Sequence, residues 1–447
     1  MLHRKIKLVL TKFVMFTILL IAIGCSEDSN PSGPEDNTSE NPSKIEGRVA
    51  GGNGHSGASK INKTNGVEGA TVTVVRVQAD GTFETVSNES VTTNANGEFN
   101  IETNVDSESN LIVVAEKGNQ TWKAVVSGKV ENGSTVYCPP MSNETTVEAE
   151  LYSQIVAEAK TSLVQMAQIG FYVNANLAAA VKGNTSLMSN VLAAIEAEAK
   201  AEAEAVSESY FDMSSAEYEA AKEARAEAHA KLDADLHAAA ESNAQYRTAI
   251  EAYQEAEVKA FTDQSMNSTQ SAKLFSLSTE ALANASAEFS SNIELELRRQ
   301  SAKKKQKSDE DAVVNEYDQC GASEDEKNTV LAANASLKAL IDAATAINEI
   351  DAAFEAYQVA LIELIKVTLS TNSSVIAAIE TEINGSAGVK ANLESTVSAT
   401  VSTSVLVEAY LAFYNSIKSI VEAQLTDASS AEIDAVIDIM ILANTSS

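Results

Sequence analysis

Proline is confined to the first third of the chain, and this distribution constrains the fold more than any other feature. All five prolines and 14 of the 19 glycines lie before residue 141, whereas the 307 residues that follow contain no proline. Because proline interrupts helices and favours turns, the two parts should differ in secondary structure. The distribution predicts a turn-rich β part and a long helical part, with a boundary near Cys138-Pro139-Pro140.

The N-terminus has the features of an export signal. Residues 1–24 carry four basic residues and no acidic residue, and their apolar stretch at 13–23 is interrupted only by Thr17. This stretch is too short to span a bilayer as a helix. We therefore interpret residues 1–24 as a signal peptide.

Residues 22–25, with the sequence AIGC, resemble a bacterial lipobox. The resemblance implies that a lipoprotein signal peptidase cuts before Cys25 and that Cys25 carries three acyl chains. Since each buried methylene contributes about 0.8 kcal/mol, such an anchor is almost permanent. In lipoproteins of two-membrane bacteria, aspartate directly after the cysteine commonly means inner-membrane retention, so Ser26 favours the outer membrane. The two acidic residues after Ser26 are either a signal for surface exposure or part of a solvated linker.

Residues 25–43 are predicted to form a lipidated, disordered linker. Between residues 26 and 43 there is no apolar residue, so burial cannot offset the entropy of the chain. The formal charge of −31 becomes −35 when the four basic residues of the signal peptide are removed. Such a charge repels nucleic acid and anionic headgroups, so we expect no nucleic-acid partner and membrane contact through the lipid at Cys25.

Residues 44–151 are predicted to be rich in β-strands. Five segments alternate, nearly alternate or are continuously apolar: residues 45–49, 70–74, 82–86, 99–101 and 111–115. Asp80-Gly81 and Asn96-Gly97 supply the positive φ that tight hairpins need. Short strands at this spacing indicate a β-sandwich.

Three motifs within this region resemble the carboxypeptidase regulatory-like domain. They are I-x-G-x-V at 45–49, V-x-G-A-x-V-x-V at 67–74 and T-N-x-x-G-x-F at 93–99. The resemblance implies an immunoglobulin- or transthyretin-like β-sandwich that acts as a non-catalytic accessory or spacer. Residues 50–66 depart from the pattern as a Gly/Ser/Asn-rich insertion, which is either a binding loop or a flexible segment.

Residues 152–447 are predicted to form an antiparallel α-helical bundle, which makes the chain a multidomain β plus α protein. Apolar residues from Leu337 to Ile365 recur at spacings of three, four and seven, as on one face of a helix. Serines 214, 323 and 429 each precede a glutamate by three residues, which is the pattern of a capping box. We expect at least two long helices within 214–306, another over 323–370, and a largely solvated helix over 193–205.

Motifs of the common enzyme classes are absent from the sequence. There is no H-E-x-x-H, G-x-S-x-G, Walker or C-x-x-C motif, and the chain after residue 24 has only three histidines. Gly54-His55-Ser56-Gly57 superficially resembles a nucleophile site but lies in the insertion, where nothing is expected to hold the imidazole against the serine. We expect a protein that is not an enzyme and needs no cofactor.

His229, Asp233 and His237 are candidates for metal ligands. They stand at i, i+4 and i+8 and so share a helical face. The two histidines are about 12 Å apart on a straight helix and cannot hold the same ion, so any site needs ligands from another helix. The alternative, which we favour, is a solvent-exposed polar face.

One basic cluster follows the signal peptide, and its members are Arg298, Arg299, Lys303, Lys304, Lys305 and Lys307. An acidic run at 308–311 follows it directly. The structural interpretation is a helix C-terminus followed by a new N-terminus, since each charge then opposes the helix dipole. The functional alternative is an exposed patch that contacts a phosphate-bearing glycolipid or an acidic partner.

Two cysteines and a single tryptophan leave alternatives open. Cys138 and Cys320 are either bridged, as an oxidising compartment permits, or two free thiols. Trp122 is interpreted as a core residue of the sandwich rather than a sugar-stacking platform.

The sequence as a whole favours a non-enzymatic lipoprotein of the cell envelope. In this interpretation the β-sandwich is an adaptor and the helices meet a protein or cell-surface partner. The alternative is a periplasmic receptor with a small-molecule or metal site among the helices. A large apolar cavity would favour the receptor. An exposed apolar stripe over 323–370 would favour a protein partner. Convergent buried carboxylates would favour an enzyme.

Overall fold

The protein combines a β region with a longer helical region. The computed structural model describes residues 42–52, 54–55, 66–105, 111–208, 210–239, 243–368, 373–385, 388–398 and 402–445. The signal peptide, Cys25, nearly all of the predicted linker and most of the insertion lie outside these residues. The described residues all belong to one compact unit, Asn41–Ser447.

Eight strands lie between residues 43 and 137 in the described part of the chain. They are β1 Ser43–Arg48, β2 Thr71–Val77, β3 Phe83–Thr85, β4 Val91–Thr92, β5 Glu98–Thr103, β6 Leu111–Lys117, β7 Gln120–Val125 and β8 Thr135–Tyr137. Each of the five predicted segments overlaps a strand, which confirms that part of the prediction. Gly81 and Gly97 have φ values of 79° and 77°, as the predicted turns require.

The strands form two sheets. In sheet I the order is β5-β1-β8, with β1 antiparallel to β5 and parallel to β8. In sheet II the order is β3-β2-β6-β7, and β4 also pairs with β2. One apolar cluster contains Ile45 and Phe99 from sheet I together with Val74, Val113 and Trp122 from sheet II. Trp122 is 5% exposed, so its interpretation as a core residue is confirmed.

Sheet II also contacts the helical region through its other face. Val75, Ile112 and Val125 belong to a second apolar cluster that includes Val147 and Leu151 of the first helix. Strand alternation places these valines and isoleucine opposite the residues that face sheet I. Sheet II therefore has buried apolar residues on both faces, and the helices pack against one of these faces.

Fourteen helices follow in the described residues. They are α1 Asn143–Ala157, α2 Met166–Tyr172, α3 Ala175–Val181, α4 Thr185–Ser207, α5 Ser215–Ala238, α6 Asn243–Thr262, α7 Ser268–Ser286, α8 Ser291–Gln319, α9 Glu324–Ala343, α10 Ile347–Thr368, α11 Ser373–Asn384, α12 Val389–Ser398, α13 Thr403–Gln424 and α14 Ser430–Asn444. The long helices expected within 214–306 are confirmed. Residues 143–151, which the sequence assigned to the β domain, are helical because a capping box at Ser142 starts α1.

The capping patterns locate three helix starts correctly. Ser214 and Ser323 each form a complete capping box with the glutamate three residues later. Ser429 accepts the backbone N–H of Glu432 at the start of α14. These caps satisfy backbone donors that have no partner within the helix.

Two helical predictions are wrong. Residues 193–205 do not form a largely solvated helix, because Ala194, Glu198 and Ala201 of α4 are fully buried. Residues 323–370 are not one helix but two, with a break at 344–346 between α9 and α10. Most of the predicted apolar stripe on these helices faces the core, although Leu340 is 50% exposed.

Candidate functional site

The predicted polar face of α5 is not exposed. His229 and Asp233 are 4% and 3% exposed, and they lie against the segment that follows β7. His229 Nδ1 is 2.7 Å from Ser127 Oγ and 3.9 Å from Asp233 Oδ2. The solvent-exposed interpretation is therefore wrong, because the β region covers this face of the helix.

Burial leaves the His229–Asp233 pair uncharged near neutral pH. Burial lowers the pKa of His229 to about 4, and nearby His55 lowers it further in the same direction. Burial raises the pKa of Asp233 to about 8, and hydrogen bonds from Ser127 oppose that shift. Both groups avoid charge where water cannot solvate it.

Ser127, His229 and Asp233 do not form a catalytic triad. In a triad, the serine and the carboxylate contact different nitrogens of the imidazole. Here both are on the Nδ1 side, whereas Nε2 lies against Gly170, where a Cβ would be 2.1 Å away. The geometry gives the histidine no route to act as a base toward Ser127 through Nε2.

The third residue of the predicted metal face lies apart from the other two. The ring of His237 stacks on Tyr137 with 4.6 Å between centroids, and its Nε2 is 3.9 Å from a Glu46 oxygen. Among the described residues, no group of three or more His, Cys, Asp or Glu side chains is arranged to hold a metal ion. His229 and Asp233 come together, but His237 belongs to a different surface.

Two carboxylates and His55 extend the buried cluster around Asp233. His55 Nε2 is 3.7 Å from Glu144 Oε1, and both side chains are buried. The pKa of Glu148 is raised well above its usual value by burial, with smaller contributions from Glu144 and Asp233. Ser56, the predicted neighbour of His55, lies outside the described residues, so the Gly-His-Ser-Gly motif has no described nucleophile.

A cleft of about 470 Å³ lies between sheet I and the C-terminal end of α5. Its walls are the outer face of sheet I, which presents Glu46, Arg48 and Glu98, and the C-terminal end of α5 at His237. Glu46 and Arg48 share a face of β1 because side chains alternate along a strand. The cleft is therefore lined by charges of both signs together with apolar residues such as Phe99 and Leu236.

The basic cluster does not form an exposed patch. It lies in the middle of α8, which continues through the predicted break after Lys307. Lys304 and Lys305 are 2% and 1% exposed, and the other four members are ion-paired. These pairs are Arg298–Asp351 at 3.1 Å, Arg299–Glu296, Lys303–Asp342 at 2.6 Å and Lys307–Glu310 at 3.4 Å. The interpretation as a helix end and the interpretation as an exposed patch are both wrong, because acidic residues of α8 and of neighbouring helices neutralise the cluster.

Lys304 belongs to a buried ion network that the sequence did not reveal. Its Nζ contacts Glu198 and lies 3.0 Å from Glu202 Oε1. Arg225 lies 3.0 Å from Glu202 Oε2 through Nη1 and 3.0 Å from Glu257 Oε2 through Nε. The five side chains come from α4, α5, α6 and α8 and are at most 2% exposed.

The network contains one more carboxylate than it has cations. Glu198 Oε2 is buried and accepts no hydrogen bond from the described residues. Burial raises the pKa of Glu198, although Lys304 acts in the opposite direction. A proton on Glu198 would balance three carboxylates against two cations, so the network is built for neutrality inside the core.

Cys138 and Cys320, the cysteines within the described residues, are free thiols. Cys138 is fully buried in the cluster shared by the two sheets, whereas Cys320 follows α8 and packs on the helical cluster. Of the two alternatives left by the sequence, the structure has the free thiols, since the two residues lie in different apolar clusters. Burial raises the pKa of Cys138 well above its usual value, which suppresses the reactive thiolate.

Comparisons with known proteins found no similar protein. No family model, no curated protein and no solved structure matches this chain. Within the described residues, no helix has both the length and the apolar character needed to cross a membrane. Function is therefore inferred from the residues of this chain and their geometry.

Proposed function

We propose that the chain is a non-enzymatic lipoprotein of the bacterial cell envelope, held at the outer membrane by acylated Cys25. The observation that carries this proposal is the AIGC sequence at 22–25, which follows a basic and apolar leader and precedes a polar segment. The first strand begins at Ser43, directly after that segment. The lipid, the tether and the body thus follow one another along the chain.

The body is proposed to be a transthyretin-like sandwich attached to an antiparallel bundle. Support for the sandwich comes from the apolar cluster that the two sheets share. Support for the bundle comes from short connections, such as 287–290 between α7 and α8, which favour antiparallel neighbours. Since sheet II has buried apolar residues on both faces, the sandwich would act as a rigid adaptor for the helices.

A non-enzymatic role is supported by how the buried charges are used. Convergent buried carboxylates would favour an enzyme, but those of the ion network pair with Lys304 and Arg225 inside the core. The other cluster lacks triad geometry at His229. We infer that both clusters hold elements together and do not act on a substrate.

The proposed partner is a protein with a basic surface. Single apolar side chains such as Leu340, Val359 and Val367 are exposed, while Phe354, Leu361 and Ile365 face the core. Acidic residues outnumber basic ones by 63 to 32. Recognition through complementary charge suits such a surface better than recognition through an apolar groove. The rate of association should therefore fall with added salt.

Replacing Cys25 with serine is expected to abolish lipid attachment. Wild-type protein expressed in a two-membrane bacterium should incorporate an alkyne-labelled fatty acid, and its intact mass should match an acylated chain beginning at Cys25. The C25S variant should lack both, because serine offers no thiol for the lipid. Cys320→Ser is the matched control and should retain the label and the mass.

The same cells test the adaptor role. Crosslinking of intact cells should attach a basic protein to wild type, and this product should disappear in C25S and at high salt. The lipid anchor would be contradicted if the C25S variant incorporated the labelled fatty acid. It would also be contradicted if the wild-type protein partitioned into the aqueous phase during detergent phase separation. If the wild-type protein is acylated but forms no crosslinked product, the adaptor role is contradicted and the lipid anchor is not.

Replacing Ser26 with aspartate is expected to move the protein to the inner membrane. The reason is the sorting pattern of such lipoproteins, in which aspartate at this position causes retention. Sucrose-gradient separation of the two membranes measures the change, and Ser29→Asp, which adds the same charge farther along the tether, should stay in the outer fraction. An S26D protein that remains in the outer membrane counts against sorting by Ser26.

A further inference from the structure

We propose that the exposed face of α9 binds a second copy of this chain, with the two α9 helices packed antiparallel about a two-fold axis. This surface, called the α9 face, comprises the exposed residues within 328–343. It is distinct from the lipid anchor and from the acidic surface proposed to meet a basic protein. The proposal depends on neither of them.

The helix α9 lies at the edge of the helical region. Within the part of the chain that the structure describes, it packs mainly against α8 and α10. Its buried residues are Val330, Asn334, Leu337 and Ile341. Leu331 and Leu340 lie outside this buried side and are 40% and 50% exposed. The outer side of α9 therefore presents two leucines to solvent.

Apart from the leucines, the α9 face consists of small side chains and is neutral. Its other uncharged residues are Asn328, Thr329, Ala332, Ala335, Ser336, Ala339 and Ala343. Its two charged residues pair within the chain, since Lys338 Nζ is 4.0 Å from Glu251 Oε1 and Asp342 Oδ1 is 2.6 Å from Lys303 Nζ. The chain has 63 acidic and 32 basic residues, so most of its surface repels a second copy. A face without net charge is where two copies can approach each other.

The exposed residues of α9 follow a pattern that reads alike in both directions. From the point between Ala335 and Ser336, each direction reaches an alanine at the fourth residue and a leucine at the fifth. In an isologous dimer the same surface of both copies meets itself, so two antiparallel helices contact each other in opposite sequence directions. The pattern therefore places matching side chains at both ends of such a contact.

Helix geometry gives the contacts in this register. Ala332 and Ala339 lie about two turns apart and so share one side of the helix. Reversal about the two-fold axis brings Ala332 against the partner's Ala339, and Ala335 against the partner's Ala335. Leu331 and Leu340 are about 180° apart around the helix, so they flank the alanines on opposite sides. Small side chains at the centre let the helices approach closely, and each leucine packs beside the partner's alanines.

Opposite charges meet at the ends of the contact. In the same register, Asp342 lies within about 3 Å, along the helix axis, of the partner's Lys327. Lys327 forms ion pairs with Asp318 and Glu324, and its ammonium group has a third N–H to donate. The two-fold axis repeats this contact at the other end. Charge complementarity thus favours a second copy over a partner of unrelated sequence.

Sedimentation equilibrium of the full mature protein in density-matched detergent tests the association. We expect wild type to form a dimer and Ala335→Glu to weaken it at least tenfold, because the carboxylate would be buried against alanines without a partner. Ala412→Glu adds the same charge at an exposed position of α13 and should dimerise as wild type does. Since Ala335 is exposed, the circular dichroism spectrum of A335E should match that of wild type.

Cysteine crosslinking in membranes of the expressing cells tests the orientation. In a Cys320→Ser background, oxidation should join two copies of Ala335→Cys at the two-fold axis. Leu331→Cys should give no dimer, because antiparallel packing separates the two copies of residue 331 by about 13 Å, whereas a disulfide needs Cα atoms within about 7 Å. Ala412→Cys on α13 should give no dimer either.

Three results overturn the proposal. They are a monomeric wild type in detergent, an A335E variant that dimerises as wild type does, and an A335C variant that crosslinks to a protein of another mass. Equal crosslinking of L331C and A335C would overturn the antiparallel packing. Sedimentation can be measured whether or not the chain is acylated, so this proposal and the lipid anchor fail separately.

Discussion

Replacing Arg225 with methionine is expected to lower the free energy of unfolding by about 3–5 kcal/mol, because the change removes one side of a buried ion network. Arg225 contacts Glu202 and Glu257, and neither glutamate is exposed. Without the guanidinium, Glu257 loses its described cation and Glu202 retains only Lys304. Urea denaturation followed by circular dichroism measures the change.

Two further variants separate the charge from the volume of Arg225. Arg247→Met removes an exposed arginine from α6 and should change the free energy of unfolding by less than about 0.5 kcal/mol. The triple variant R225M/E202Q/E257Q removes the orphaned charges together with the cation and should recover much of the loss. A loss as small for R225M as for R247M would show that the network contributes little.

The positions of strands and turns in the β region could be predicted because their signals are local. Alternation at residues 45–49 and the Asn96-Gly97 turn depend on neighbours in sequence. Helix starts at Ser214 and Ser323 were predictable for the same reason, since a capping box spans four residues. The start of α1 was misplaced because Ser142 is followed by threonine at the glutamate position, a variant of the box.

The buried charges could not be predicted because their partners are distant in sequence. Lys304 lies 106 residues from Glu198, and Ser127 lies 102 residues from His229. Helical periodicity treats charged residues as solvated, so the glutamates of α4 seemed to mark an exposed face. Their alanine neighbours were the available signal, since small side chains allow helices to approach closely.

The prediction of a helix break after Lys307 was wrong for a related reason. A change from basic to acidic residues suits a helix end followed by a helix start, but it equally suits pairs within one helix. In α8, Lys305 Nζ lies 2.6 Å from Asp309 Oδ2, one turn later. The charge reversal therefore stabilises a continuous helix of 29 residues.

The stability of the protein is expected to fall as pH rises from 6.5 to 8.5, and Asp233 should account for much of the change. Its folded-state pKa of about 8 lies above its usual 3.8, so the folded protein binds more protons than the unfolded chain across this window. One pKa unit corresponds to 1.36 kcal/mol, so Asp233 should lower the free energy of unfolding by about 2 kcal/mol over this pH range.

The titration of His229 changes the free energy of unfolding in the opposite direction, and it does so at lower pH. Its folded-state pKa of about 4 lies below its usual 6.5, so the folded protein binds fewer protons and gains stability as pH rises through this range. Between about pH 4 and 6.5 the effects of His229 and Asp233 nearly cancel. Above pH 6.5 the contribution of Asp233 remains, reinforced by Glu148, whose pKa is also raised.

Asp233→Asn isolates this contribution, because asparagine keeps the shape of the side chain and has no proton to lose. Denaturation at pH 6.5, 7.5 and 8.5 should give a flatter profile for D233N than for wild type, with the two differing by about 2 kcal/mol more at pH 8.5 than at pH 6.5. Asp235→Asn on the same helix is the control, since Asp235 is 41% exposed and pairs with Lys231 in solvent. An unchanged slope in D233N would mean that Asp233 is ionised in the folded protein, and the neutral pair with His229 would then be wrong.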